Sequence, residues 1–156
     1  MQEVILACDP GASGGFACLT KSIDGPTITL ESMPKSLTDI VQFLLMKKLS
    51  IAELWIEDIP KFCGKAIPSS TTAVLFDNYG IIKGAAAALG YAIHRVPPKE
   101  WQEPLGLGGR KSCATQPEWK RKLKNKAQEM YPHLDVTLQN CDALLLLHYA
   151  RQQTRR

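Results

Sequence analysis

The chain of 156 residues lacks any uninterrupted apolar run of about 18 residues, which excludes a membrane-spanning helix. No basic stretch followed by a hydrophobic block opens it, so no secretory leader is expected. Its cysteines are few and odd in number: Cys8, Cys18, Cys63, Cys113 and Cys141, with no CxxC pair. That argues against a disulfide framework and a zinc site, and for a reducing compartment. Cys8, Cys18 and Cys141 sit in apolar runs and read as small core residues. There is no internal repeat, linker or low-complexity segment. What remains is one domain over 1–156, 45% hydrophobic and able to bury a sizeable core. An intracellular, soluble protein is expected, cytoplasmic if the source is a bacterium or phage.

Acid is scarce in one stretch. "RKSCATQPEWKRKLKNK" places Arg110, Lys111, Lys120, Arg121, Lys122, Lys124 and Lys126 against Glu118 alone, although the net charge is only +4. The tail "ARQQTRR" adds three arginines. Such a concentration suits a polyanion, and a solvated helix face has the same appearance.

Periodicity orders the elements. "VILACD" is β-branched and apolar and predicts a central strand; "PGASGG" turns the chain and "GFACLTK" returns as a second strand. "TITLESM" predicts a third. Leu37, Ile40, Val41, Leu44 and Leu45 fall at helical spacing behind Ser36 as N-cap. "AELWIEDIP" predicts a buried strand stopped by Pro60, and 61–70 a loop. A long helix follows, capped by Ser70 or Thr71 and ended by Gly90. "YAIHRVP" predicts a strand, "PKEWQEPLGL" a short helix and "GGRKSCATQ" a flexible loop. The next helix has Pro117 in its first turn, with Trp119, Leu123, Ala127 and Met130 facing inward and Lys120, Arg121, Lys124 and Asn125 outward. "CDALLLLHYARQ" predicts a closing apolar helix. Strands that alternate with helices after a meander imply a mixed α/β sheet covered on both faces.

Three carboxylates fall at the ends of these elements: Asp9 after the first strand, Glu57 after the fourth, Asp142 at the start of the last helix. If strands 1 and 4 are neighbours, Asp9 and Glu57 stand side by side, and a helix across that edge brings Asp142 to them. Clustered carboxylates persist only with protons or cations between them. Oxygen-only ligands favour Mg²⁺ or Mn²⁺, and two such ions about 4 Å apart suit phosphodiester hydrolysis. Gly11, Gly14 and Gly15 would leave room for a phosphate backbone and permit positive φ in the turn. Taken singly, Asp9-Pro10-Gly11 also reads as a hairpin turn, Glu57 as an edge charge and Asp142 as a helix N-terminal acid. His94, His148 and His133 read as structural, and Ser69, Ser70 and Thr71 as capping residues.

In this order, "DPGASGG", the "IE" ending strand 4, the Ala/Gly-rich helix, "VPPKEW" and "CDALLLL" resemble the RuvC-like Holliday junction resolvases of the RNase H-like superfamily. "DPG" alone also opens the actin and sugar-kinase superfamily, but 156 residues leave little room for the second domain that type needs.

The resemblance covers nearly the whole chain. It implies an RNase H-like fold with a five-stranded mixed sheet, and a homodimer joined along the long middle helix. The implied activity is metal-dependent, paired cutting of four-way DNA junctions. Asp9, Glu57 and Asp142 would be the ligands of Mg²⁺ or Mn²⁺, two ions per site. Family members carry a fourth ligand, aspartate or histidine, one helical turn before the last acid. Gln139 stands there, followed by Asn140, and offers a neutral oxygen; Asp135 and Asp58 are possible substitutes, although Asp58 should face away from Glu57. A catalytic lysine is expected near the start of the penultimate helix, where Lys120, Lys122 and Lys124 qualify and Lys120 is favoured. Phe62, after strand 4, would probe the junction centre or pack inward as a loop anchor. Lys61, Lys65, Arg110, Lys111, Lys122 and Lys124 would contact phosphates. The alternatives are a related nuclease acting on other branched DNA or structured RNA, and a non-catalytic junction-binding module.

Overall fold

The structure is a computed structural model that describes residues 2–59 and 69–154. Five strands form one sheet: β1 (Glu3–Asp9), β2 (Gly15–Ser22), β3 (Gly25–Ser32), β4 (Ile51–Glu57) and β5 (Ala92–Val96), in spatial order β3-β2-β1-β4-β5. The first three make an antiparallel meander, while β4 and β5 run parallel to β1. β1 and β4 are the buried centre, which accounts for their nearly continuous apolar sequence.

Period-two alternation separates the side chains into two cores. On one face Val4, Leu6, Cys8, Leu54 and Ile56 pack under α1 (Leu37–Lys47) and α2 (Ser69–Ala88). On the other, Ile5, Ala7, Trp55 and Val96 pack under α3 (Pro98–Gln102), α4 (Gln116–Met130) and α5 (Cys141–Gln153). α5 lies against β1, β2 and β4 and is buried along most of its length, so its run of four leucines has no polar face.

Local chemistry fixes the helix starts. Ser36 caps α1 by accepting the Asp39 N–H at 3.1 Å. Thr115 caps α4 through the Glu118 N–H at 3.3 Å, and the Glu118 carboxylate reaches back to the Ala114 N–H at 3.0 Å. α2 begins at Ser69, so Ser70 and Thr71 lie inside its first turn rather than at its cap; the first-turn N–H groups tolerate hydroxyl residues as readily as the cap does. The segment expected as a flexible loop before α4 contains a 3₁₀ turn, Arg110–Ser112, after Gly106, Gly108 and Gly109 at positive φ. Met130 is only half-buried, unlike Trp119, Leu123 and Ala127. No helix among the described residues is long and apolar enough to cross a membrane.

Candidate active site

β1 and β4 pair in parallel up to Cys8 and Ile56, so Asp9 and Glu57 are the next residues of two adjacent strands at the same edge. Since Cys8 and Ile56 face α1 and α2, alternation turns both acids toward α4 and α5. Asp142 stands in the first turn of α5 and is buried. Three acids from three elements therefore lie close enough for each of Asp9 and Glu57 to feel the charge of Asp142.

A fourth charge joins them. The Lys120 ammonium, from α4, donates to Asp142 Oδ2 and lies 3.9 Å from Asp9 Oδ2. Lys120 was expected among the outward residues of α4; it is half-buried because the acid pair draws it in. Burial raises the Asp9 pKa, the charge of Asp142 raises it further, and Lys120 and the Gly11 N–H pull it back. Glu57 is pushed up to about 8, first by burial and then by Asp9 and Asp142. Burial lowers the Lys120 pKa, but Asp142 and Asp9 more than offset this, and the lysine is held protonated. Three desolvated carboxylates against one ammonium are an electrostatic deficit that a cation relieves.

Supporting groups hold each acid. Trp101 in α3, fully buried, donates its indole N–H to Glu57 Oε2 at 2.9 Å. Asp9 Oδ1 accepts the Gly11 N–H at 3.1 Å. Gly14 packs directly on Asp9: an added Cβ would lie 2.3 Å from its carbonyl oxygen, 2.7 Å from Cγ and 2.9 Å from Oδ1. The glycines of this turn do not have positive φ, contrary to expectation. Gly14 is required by close approach to the acid itself, and Gly15 by close approach to the Glu31 backbone of β3. Cys141 Sγ donates to Asp142 Oδ1 at 3.4 Å, and burial pushes its thiol up to about 12.

Asp58 faces the other side of the sheet, as alternation requires. It accepts Arg95 Nη2 at 2.9 Å and the Tyr79 hydroxyl at 2.5 Å. Burial would raise its pKa, but these hydrogen bonds hold it below the ordinary carboxylate range. It is thereby committed to a clamp between β5 and α2 and is not a ligand beside Glu57.

Gln139 is exposed in the turn before α5, not on the helix, and lines a groove beside β3 with Glu31, Asp135 and Asn140. Asn140 closes that turn by accepting the Thr137 N–H at 2.8 Å. Arg110 donates to Gln116 Oε1 at 2.5 Å and to the Cys113 carbonyl at 2.9 Å, and Lys122 donates to the Leu107 carbonyl at 2.9 Å. Both pin the loop before α4. Lys111 is exposed and Lys124 half-exposed. Lys61, Phe62 and Lys65 lie outside the described residues. His148 accepts or donates to the Tyr131 hydroxyl at 3.0 Å and reads as structural, as expected.

All donors contributed by the three acids are oxygens, which fits a hard divalent cation such as Mg²⁺ or Mn²⁺. Among the described residues, no three histidine, cysteine or carboxylate side chains stand in ligating arrangement. The Lys120 ammonium, in contact with two of the acids, holds the position of positive charge. The Trp101 and Gly14 contacts were not anticipated from the sequence. "VPPKEW" stood out as a motif, but nothing in it says which group the indole meets.

No protein-family model and no curated protein matches the chain. Solved structures do. RuvC of Thermus thermophilus matches with a TM-score of 0.55 at 15% identity, covering 97% of each chain. T. thermophilus RuvC in complex with Holliday junction substrate matches with a TM-score of 0.58 at 16% identity, covering 97% of this chain and 96% of that one. The chain therefore has the RuvC-like, RNase H-like fold over nearly its whole length.

Proposed function

We propose that this chain is a divalent-metal-dependent endonuclease, one domain over its 156 residues, that resolves four-way DNA junctions by paired cuts. The observation that carries this reading is the meeting of Asp9, Glu57 and Asp142 at one edge of a RuvC-like sheet, around a lysine and beneath the basic helix α4. The neighbour solved with a Holliday junction substrate supports the choice of DNA.

Asp9, Glu57 and Asp142 would hold Mg²⁺, with Mn²⁺ as substitute and two ions per site. When bound, such ions polarise the phosphate and lower the pKa of a water. Trp101 keeps the Glu57 carboxylate oriented toward the cluster, and Gly14 keeps that of Asp9 in place. Lys120 stays protonated and offers its N–H groups to a phosphate oxygen. Lys61, Phe62, Lys65, Arg110, Lys111, Lys122 and Lys124 would contact the DNA.

A homodimer would match two cuts to the two-fold symmetry of a junction. The outward face of α2 fits that role. Ala73, Phe76, Gly80, Gly84 and Ala87 recur at helical spacing and are exposed, Phe76 by 43%, and a Cβ on either glycine would meet nothing. Sedimentation of the protein checks this: a monomer at working concentrations refutes it.

The activity test is a synthetic four-way junction incubated with the protein and Mg²⁺. Symmetric nicks are expected, lost by at least about 10³-fold in Asp142→Asn with binding retained. Equal cutting of flaps, duplexes or RNA–DNA hybrids would assign a broader nuclease. One observation favours the second reading, a non-catalytic junction-binding module: Lys120 stands where positive charge is needed, and among the described residues no ligating arrangement forms around it. Binding without cutting in either Mg²⁺ or Mn²⁺ would establish it.

A further inference from the structure

Next to the carboxylates lies an open, shallow and almost wholly apolar hollow lined by Gln116, Pro117, Lys120, Arg121 and Leu138. Leu138, in the turn before α5, is 48% exposed and belongs to neither core. Pro117 is exposed in the first turn of α4. Lys120 is common to both places: its aliphatic stem walls the hollow while its ammonium contacts Asp142 and Asp9. The hollow therefore begins one lysine side chain from the acids.

Its chemistry is that of a nucleotide in reverse. Apolar surface left open to water, between two cations, is unsuited to a phosphate alone and unsuited to a purely apolar ligand. A nucleic-acid strand alternates phosphates with sugar and base surfaces that are largely apolar at their faces. A strand whose phosphate lies at the acids has Lys120 beside it, and the hollow is a concave apolar surface bounded by that same side chain. We propose that this hollow seats the deoxyribose and base adjoining the scissile phosphate, against Pro117 and Leu138, while Arg121 takes the neighbouring phosphate. The subsite rests on the endonuclease reading. It works by apolar contact and is therefore tolerant of base identity.

The test is a two-by-two comparison of kcat/KM. Junctions carrying an abasic tetrahydrofuran residue on one or the other side of the cut are compared with the intact junction, using wild type and Leu138→Ala. At a half-exposed position the alanine variant should keep its melting temperature, which is checked first. For wild type, one of the two abasic junctions should lose about five- to tenfold, the effect of uncovering one such apolar contact. Leu138→Ala should lose about as much on the intact junction and less than about twofold more on that abasic one. Leu138→Asp should lose more than alanine, since it sets a carboxylate beside phosphates. Equal losses for wild type and Leu138→Ala on both abasic junctions overturn the subsite while leaving the endonuclease intact. If wild type cuts no junction at all, the endonuclease reading itself falls.

Discussion

The acid cluster should make the protein less stable as pH rises, and Glu57→Gln should remove most of that effect. Burial and the charges of Asp9 and Asp142 raise the folded-state pKa of Glu57 from 4.5 to about 8. A carboxyl whose pKa is raised on folding binds its proton more tightly in the native state. Its contribution is fully present below about pH 4.5 and is lost as pH climbs to about 8. At 1.36 kcal/mol per unit the window corresponds to roughly 3–5 kcal/mol, the lower figure allowing for solvent screening at a half-buried group. For a chain of this size that is roughly 6–20 °C in Tm. Asp9 shifts in the same direction and adds to the slope. The assay is urea denaturation from pH 5 to 8 in the presence of a chelator. Glutamine keeps an oxygen for the Trp101 N–H but carries no charge, so the variant should be more stable than wild type at pH 8 and keep only the shallower slope that Asp9 contributes. Adding Mg²⁺ at pH 8 should restore wild type and help the variant less. A level wild-type profile, or a variant profile parallel to it, would refute the electrostatic account of this site.

Three further outcomes follow from the same geometry. Gly14→Ala places a methyl 2.3 Å from the Asp9 carbonyl oxygen and 2.7 Å from its carboxyl carbon, so it should cost about 2–4 kcal/mol in urea denaturation and weaken Mn²⁺ binding by moving Asp9. Gly84→Ala, where nothing lies within reach of the new Cβ, is the control and should not destabilise. Trp101→Phe leaves the Glu57 carboxylate without its indole donor and should cost about 1.5–3 kcal/mol at pH 8 beyond the cost of the smaller ring; a loss of equal size in the Glu57→Gln background, where the acceptor oxygen remains but the charge does not, would show that the charge of Glu57 adds nothing to this bond. Lys120→Met removes the ammonium that neutralises Asp9 and Asp142, so Mn²⁺ binding in the absence of DNA should tighten about three- to tenfold while junction cleavage falls. Weaker Mn²⁺ binding by titration calorimetry would mean that the lysine does not compete for this position.

What could be read from the sequence was whatever depends on period and position along one element. "VILACD" and "LWIE" are apolar runs ending in an acid, and strands of that kind are buried in a sheet centre with their acids at its edge. The alternation that sends Glu57 to one face sends Asp58 to the other, and Asp58 does meet Arg95 and Tyr79 there. What could not be read depends on which side chains from distant elements meet. Lys120 looked outward on the periodicity of α4 because helical spacing records the face of a residue, not the reach of a four-carbon stem toward two acids on β1 and α5. Trp101 is a core residue, but its one polar atom lies against Glu57, 44 residues earlier in the chain. The glycines after Asp9 signalled a tight turn, and the reason proved different: the carbonyl and the carboxylate of Asp9 fill the space a side chain at Gly14 would need. The site thus has two layers of specification. The acids are placed by backbone topology, which a strand pattern reveals. Their orientation and charge balance are set by an indole, a glycine and a lysine whose roles exist only once α3, the β1–β2 turn and α4 have packed. Changes to the second layer should therefore alter metal affinity and pH response while leaving the fold intact, whereas changes to the strands that carry the acids should remove both together.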